Sequence, residues 1–249
     1  MAHGERLDEQ SAIPATWRGG ATGGEGVRYS QRRKGAWVKC LVHACCGPCA
    51  LASTRKLADA GLEIAVSYDN SNIQPRDEYL RRLEVLREHV CGPRGYELYE
   101  GVYDPDEWER EVGVFGSDRE RRCRACYRLR LRETARRAAE LGYDAISTTL
   151  TISPYQFTDV VLEELRAAAR EWGLEAVDED FSDLYAQTTR ESRELRMYRQ
   201  NYCGCRFSVE EAAREREAAR ERRRGEKRGR QLALEWMAAQ GCVNQTSKL

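Results

Sequence analysis

Seven of the ten cysteines in this 249-residue chain fall into three short clusters, and no other feature constrains the fold as much. The clusters are Cys45-Cys46-Gly47-Pro48-Cys49, Cys123-Arg124-Ala125-Cys126 and Cys203-Gly204-Cys205. Thiols at such short separations suit metal ligation or redox chemistry better than core packing. The other three cysteines, Cys40, Cys91 and Cys242, are isolated in the sequence, and we interpret them as ordinary core or surface thiols.

The chain between the clusters alternates apolar, β-prone segments with helical ones. Strands are predicted over residues 37–43, 62–68, 96–99, 144–150 and 174–177, and helices over 50–60, 76–90, 104–112, 124–141 and 155–172. This alternation predicts an α/β fold with a parallel sheet and flanking helices. The loops that carry Cys45, Asn70 and Thr149 each follow a predicted strand, so they are expected to meet at the carboxyl edge of the sheet and bind metal there.

Composition divides the chain into three predicted segments. Residues 1–35 lack apolar periodicity and are predicted to be a disordered extension. Residues 36–208 form the predicted catalytic, metal-binding α/β domain. Residues 209–249 form a charged tail, interpreted as a solvated helix or a partly disordered basic arm.

The sequence indicates a cytoplasmic location. It contains no run of about 18 apolar residues, so no membrane association is expected. The N-terminus lacks the apolar stretch of a secretory signal. Cytoplasmic thiols are normally reduced, which favours metal ligands or catalytic groups over structural disulfides.

The first two clusters supply enough thiolates for one inorganic site. Two pairs of cysteines give the four ligands of a [4Fe–4S] cluster or of a Cys₄ zinc site. The directly adjacent Cys45 and Cys46 fit zinc-ligand spacing badly, which favours iron–sulfur. Cys123 and Cys126 are expected at the first turn of a helix, where the helix dipole and nearby arginines would lower their pKa. His43 precedes the first cluster and is interpreted as a buried supporting residue rather than a ligand.

Cys203 and Cys205 are separated by a single glycine, and three interpretations stay open. They can form a small strained disulfide that is easily reduced. They can ligate a metal beside the main site. They can also be two unrelated thiols in a loop.

A run of nine arginines and two glutamates between Arg119 and Arg137 surrounds the second cluster, although the whole chain is balanced at 41 basic and 41 acidic residues. Guanidinium groups bind phosphate well, so the run suggests a nucleic-acid substrate, whereas its simplest interpretation is a solvated helix face. Tyr127 and Tyr155 are weak candidates for stacking on an unpaired base.

Five separated motifs resemble the QueH-type epoxyqueuosine reductases, in the same order, between residues 38 and 208. They are His43–Cys49, Tyr68–Pro75, Cys123–Leu131, Ser147–Tyr155 and Tyr198–Ser208. The resemblance implies a nucleotide-binding-like (HUP/Rossmann-like) fold. It also implies reduction of epoxyqueuosine to queuosine at the wobble position of tRNA, the last step of queuosine biosynthesis.

By the same resemblance, a [4Fe–4S] cluster would be held by Cys45, Cys46, Cys123 and Cys126. Cys203 and Cys205 would be a redox-active pair, with a disulfide as its oxidised form, or ligands of a second, mononuclear iron. Cys49 would be a further second-metal ligand or a bystander. The partners implied are the anticodon loop of tRNA and an electron donor of unknown identity. Asp69 and Tyr155 are candidate proton donors.

Two other functions compete with this one. The first is another iron–sulfur tRNA-modifying enzyme, such as an ATP-dependent thiolase. Cys45-Cys46-Gly47-Pro48-Cys49 replaces the glycine-rich phosphate loop that such enzymes carry after their first strand, which argues against ATP activation. The second is a non-catalytic, zinc-stabilised RNA-binding module, which would leave Cys49, Cys203 and Cys205 without a role.

Overall fold

The computed structural model describes residues 38–239 and contains a five-stranded, all-parallel sheet. The strands are β1 (Val38–His43), β2 (Leu62–Tyr68), β3 (Glu97–Glu100), β4 (Ala145–Thr148) and β5 (Glu175–Ala176), in the order β3-β2-β1-β4-β5. Parallel strands need crossover connections, and helices between the strands provide them. The predicted α/β class with a parallel sheet and flanking helices is therefore confirmed.

The described part of the chain contains eight α-helices. They are α1 (Gly47–Asp59), α2 (Arg76–Leu86), α3 (Gly92–Arg94), α4 (Pro105–Glu111), α5 (Arg119–Glu140), α6 (Thr158–Glu171), α7 (Tyr185–Glu194) and α8 (Arg206–Ala239). A π-helical turn, Arg87–Cys91, joins α2 to α3. None of the helices between residues 38 and 239 is both long and apolar enough to cross a bilayer.

The side chains of β1 alternate between two cores, one on each face of the sheet. Cys40 and Val42 pack in the core that contains α1 and α2, whereas Leu41 packs in the core that contains α5 and α6. All three side chains are fully buried. Helices on both faces explain why the central strand of a parallel sheet is a continuous apolar run.

The order of the strands reverses between β1 and β4, and this is where an open parallel sheet leaves a crevice beyond its carboxyl ends. The loops after β1 and β2 are joined there, because the Asn70 side-chain amide donates to the Ala44 carbonyl at 2.9 Å. The loops that carry Cys45 and Asn70 thus meet as predicted, and the His43 ring at the end of β1 lies 3.1 Å from the Thr148 hydroxyl at the end of β4. The HUP/Rossmann-like relationship stays a prediction.

Several element boundaries differ from those expected. The strand predicted over 144–150 ends at Thr148, whose hydroxyl accepts the Leu150 amide and starts a 3₁₀ turn, Thr149–Ile152. Helix α7 was not predicted. Residues 209–239 of the charged tail belong to α8, while residues 240–249, the predicted extension 1–35 and Cys242 lie outside the described residues. The predicted three-segment division stays a prediction.

Candidate metal and redox centre

A cavity of about 810 Å³ lies beyond the carboxyl ends of the strands. Six of the seven clustered thiols line it, namely Cys45, Cys49, Cys123, Cys126, Cys203 and Cys205. The seventh, Cys46, is buried behind Gln200, whose side-chain amide lies 2.8 Å from the Cys46 sulfur and which lines the cavity itself. The fold therefore brings together three clusters that are up to 160 residues apart in the sequence.

The first cluster occupies the turn from β1 into α1. Cys46 is the N-cap of α1 in extended conformation, and Gly47 and Pro48 begin the helix. A β-carbon on Gly47 would lie 2.8 Å from both the Met197 Cε and the Val85 Cγ1 atoms, so only glycine lets this turn pack against its neighbours. The close turn brings the sulfurs of Cys45, Cys46 and Cys49 within 4.8 Å of one another, a spacing suited to one metal site.

These three thiols ionise unequally. Hydrogen bonds from Cys46 and then Cys49 lower the pKa of Cys45 well below its usual value, and the positive charge of Arg130 lowers it further. The same hydrogen bond raises the pKa of Cys46 to about 12, and hydrogen bonds to Cys45 and Cys46 raise that of Cys49. The group therefore loses its first proton at Cys45, and the other two thiols stabilise that thiolate.

The position predicted for Cys123 and Cys126 was wrong. Helix α5 begins at Arg119, where the Asp118 side chain accepts the Arg121 amide, so both cysteines lie beyond the first turn. Burial raises the pKa of Cys123 to about 12 and raises that of Cys126, opposite to the expected direction. Aspartate is a preferred N-cap residue, so Asp118 was the available sequence signal for the earlier start.

Cys126 lies close to the third cluster. Its sulfur is 3.4 Å from the Trp108 indole nitrogen and packs with Trp108 and Cys205 in one small apolar cluster. Burial raises the pKa of Cys203, and the negative charge of a Cys205 thiolate raises it further. The second and third clusters thus form one group of thiols, and Cys45, Cys46 and Cys49 form another beside the same cavity.

The Cys203-Gly204-Cys205 turn is fixed to the loop after β2. The Gly204 carbonyl accepts a hydrogen bond from the backbone N–H of Gln74 at 3.0 Å, and the Arg82 guanidinium donates to the Cys203 carbonyl at 2.8 Å. Gly204 has a φ of 140°, and a β-carbon there would lie 2.9 Å from the Ile73 Cγ1 atom. Both cysteines are free thiols in this structure. Their predicted roles as a redox pair or as second-metal ligands stay predictions.

The isolated residues behave as expected. Cys40 and Cys91 are buried in the core next to α1 and α2, and burial raises the pKa of each. His43 is fully buried, with its ring nitrogens next to the Thr148 hydroxyl and the Asp69 carbonyl, at 3.1 and 3.3 Å. Burial lowers the pKa of His43 to about 3, so it is a neutral packing residue.

The candidate base-stacking tyrosines and the candidate proton donor Asp69 differ in their positions relative to the cavity. Tyr127 is buried and donates to the Gln156 side chain, so it packs rather than stacks on a base, whereas Tyr155 is 60% exposed at the cavity. The Asp69 carboxylate accepts hydrogen bonds from Ser67 and Thr134 and pairs with Arg137 at 3.1 Å. Asp69 does not line the thiol cavity, which removes it as a proton donor to a ligand there.

The α5 arginines are mostly neutralised. Seven of the nine pair with carboxylates: Arg119, Arg122, Arg124, Arg128, Arg132, Arg136 and Arg137. Most of the acidic partners come from α6 and α8. The arginine run is therefore largely an ion-paired helix face, which agrees with the simpler of its two interpretations.

The sequence did not show the importance of three further residues of the site, Arg130, Asn72 and Gln200. Arg130 is 3% exposed at the cavity, and no acidic side chain between residues 38 and 239 pairs with it. Asn72 is also buried at the cavity, and neither of its amide atoms has a hydrogen-bond partner there. The Gln200 carbonyl oxygen is unpartnered as well. Asn72 and Gln200 lie in the quoted motifs, but a motif does not show which atoms lack partners.

Comparison with known proteins gives a consistent result. A family model described as epoxyqueuosine reductase QueH matches residues 40–211. A protein named epoxyqueuosine reductase QueH from Dehalococcoides mccartyi is 34% identical over 171 residues, which cover 68% of this chain and 92% of that protein. A relative with the same name from Thermotoga maritima is 32% identical, over 74% of this chain and 97% of its own length. Another from Streptococcus pyogenes is 31% identical, over 73% of this chain and 77% of its own length.

Proposed function

Because this chain belongs to the epoxyqueuosine reductase QueH family, we propose that it reduces epoxyqueuosine to queuosine at the wobble position of tRNA. One observation carries the proposal. The matched region contains all seven clustered cysteines, and six of them line one cavity at the carboxyl edge of the sheet. A tRNA substrate also supports the predicted cytoplasmic location.

The cavity suits an anionic iron–sulfur cofactor. The buried guanidinium of Arg130 has no carboxylate partner among the described residues, and a buried charge needs an anion nearby. Thiolates and a cluster would supply that anion. We propose that Cys45, Cys46, Cys123 and Cys126 hold a [4Fe–4S] cluster. Cys49, Cys203 and Cys205 are then available to a second, mononuclear iron.

The proposed reaction removes the epoxide oxygen as water and consumes two electrons and two protons. A bound cluster would supply electrons one at a time, and an adjacent iron would polarise the epoxide oxygen. If no second iron is bound there, the Cys203 and Cys205 thiols can instead supply both electrons and both protons by forming a disulfide, which an external electron donor then reduces. The Arg82 side chain and the backbone N–H of Gln74 hold the backbone of this pair in place.

Other residues of the chain would bind the base. The wobble nucleotide lies in a single-stranded loop, where a base can leave the stack and enter a protein cavity. Tyr155 is exposed beside the cavity and offers an aromatic face for stacking. The unpartnered amide of Asn72 offers a donor and an acceptor inside.

The test begins with protein purified without oxygen. Iron and sulfide are measured with the visible spectrum before and after dithionite, and about four of each per chain are expected for one cluster. Iron beyond four would indicate the second metal. The protein is then incubated with epoxyqueuosine-containing tRNA and a reductant, and the nucleosides are separated by mass spectrometry. Stoichiometric zinc without sulfide, and no queuosine, would favour the zinc-stabilised RNA-binding module.

A further inference from the structure

Helix α8 borders the thiol cavity and then extends far beyond it. Its 34 residues would span about 50 Å at the usual rise of an α-helix. Nine residues between Ser208 and Arg223 line the cavity, whereas the family match ends at residue 211. Most of the helix therefore lies outside the region that the family comparison describes.

Positive charge is concentrated in the middle of α8. The first turns carry Glu211 and Glu215, which pair with Arg119 and Arg122 of α5. Residues 220–230 contain seven basic and two acidic side chains, all exposed. None of the seven basic groups forms an ion pair within residues 38–239. This excess stands out in a chain with equal numbers of basic and acidic residues.

Five basic residues of α8 recur at intervals of four and three and therefore share one helix face. They form the α8 basic row, which consists of Arg216, Arg220, Arg223, Lys227 and Arg230. The first three of them line the cavity. The row thus starts at the cavity and continues along the helix for about 21 Å.

We propose that the α8 basic row binds the sugar–phosphate backbone of the tRNA whose anticodon loop enters the cavity. This inference rests on the proposed function for the choice of RNA. Exposed guanidinium and ammonium groups bind phosphates, and here they continue from the cavity that would hold the base. Among the described residues, seven of the nine α5 arginines are held by carboxylates and Arg130 is buried, so most of the exposed unpaired charge beside the cavity lies on α8.

The test compares two triple variants with equal charge loss. The first is Arg220→Gln, Arg223→Gln and Lys227→Gln in the row. The control is Arg214→Gln, Arg224→Gln and Arg228→Gln, three exposed residues of the same helix that are centred roughly 100° around its axis from the three row residues. Circular dichroism checks that both retain the helix. Binding of an unmodified tRNA transcript with a queuosine-type anticodon is measured by fluorescence anisotropy from low to high KCl.

In the row variant, the slope of log affinity against log salt is expected to be smaller in magnitude by about 2 than in the wild type. Roughly 0.7 to 0.9 counterions are released for each phosphate contact, and the variant loses three basic groups. The control is expected to keep most of the wild-type slope. Equal slopes in both variants, or no change in either, would overturn the inference. So would loss of binding to phosphatidylserine vesicles, with tRNA binding intact, in the row variant alone.

The two proposals can fail separately. If the wild-type protein binds tRNA through the row but produces no queuosine, the proposed reaction fails and the inference stands. If the wild-type protein produces queuosine and the row variant keeps the wild-type KM for tRNA, the reaction stands and the inference fails. A rise in KM that matches the loss of affinity supports both.

Discussion

Arg130 donates to the Asn70 side chain across 2.6 Å, and Asn70 in turn donates to the Ala44 carbonyl. These bonds connect α5, the loop after β2 and the end of β1, next to Cys45. Arg130 also lies 4.0 Å from the Cys126 sulfur. A single buried cation is therefore fixed beside both groups of thiols, and it favours their ionised, metal-binding form.

Replacing this cation should make the cavity thiols harder to ionise. Arg130→Met keeps an unbranched apolar stem and removes the charge, so the pKa of Cys45 and of Cys126 should rise. A smaller thiolate fraction means slower alkylation at neutral pH. Iodoacetamide labelling of reduced, metal-free protein, followed by peptide mass spectrometry at several pH values, measures the rate at each cysteine.

Arg128→Met is the matched control for this change. Arg128 lies on the same helix, is 56% exposed, pairs with Glu164 and does not line the cavity. Its loss should leave alkylation in the cavity unchanged. Wild-type labelling rates in Arg130→Met would show that Arg130 does not control the thiols electrostatically.

Gly204→Ala should destabilise the protein by about 2–4 kcal/mol, because it combines an unfavourable positive φ with crowding against Ile73 and Asn72. Thermal unfolding of the reduced protein measures the change. Gly225→Ala is the control, since a β-carbon there meets nothing within 4 Å and alanine favours the helix. An unchanged Tm in Gly204→Ala would show that the loop can relax away from Asn72.

The sequence was sufficient to predict the sheet because its central strands, β1 and β2, are short, largely buried and mostly apolar. The strand predicted over 62–68 is β2 without any change of boundary. The loops with Cys45, Asn70 and Thr149 could be placed at one edge because the carboxyl ends of parallel strands meet there. The hydrophobic pattern of each segment and the common direction of the strands are enough to predict the sheet and the edge at which these loops meet.

The electrostatic details of the site could not be predicted in the same way. The effect on the pKa of Cys123 was predicted with the wrong sign because a sequence does not show that Cys123 lies beyond the first turn of α5, or that its burial outweighs the nearby arginines. The arginine run could not be separated into paired and free groups, since its partners Glu164 and Glu211 are 27 and 74 residues beyond its end at Arg137. Both properties depend on tertiary contacts.

Asn72→Leu should separate stability from function. Both amide atoms of Asn72 are buried and have no hydrogen-bond partner within residues 38–239, so an apolar side chain of similar size should keep or raise the stability of the metal-free protein, by about 1–3 kcal/mol. The same change should lower queuosine formation if the amide contacts a ligand in the cavity. Denaturant unfolding and single-turnover assays measure the two effects.

The matched control is Asn70→Leu, which removes an amide that bonds to Ala44 and Arg130. This variant should lose stability, because it leaves buried partners unsatisfied. If Asn72→Leu also unfolds more easily and keeps full activity, Asn72 is a packing residue with no role toward a ligand.

Cys123→Ala should abolish both the cluster and the activity, because it removes one of the four proposed ligands. Iron, sulfide and queuosine formation are measured on protein prepared without oxygen. Cys242→Ala, at an isolated position outside the described residues, should behave as wild type. Full activity in Cys123→Ala would refute the ligand assignment.

Cys49→Ala tests the division of the thiols between two metals. The Cys49 sulfur lies within 4.8 Å of those of Cys45 and Cys46, but Cys49 is proposed as a ligand of the mononuclear iron. The variant should therefore retain four irons and four sulfides per chain and lose any iron beyond four. Mössbauer spectroscopy of iron-57-enriched protein distinguishes the two kinds of iron. Loss of sulfide together with all iron would instead make Cys49 a ligand of the cluster, in place of one member of the proposed set.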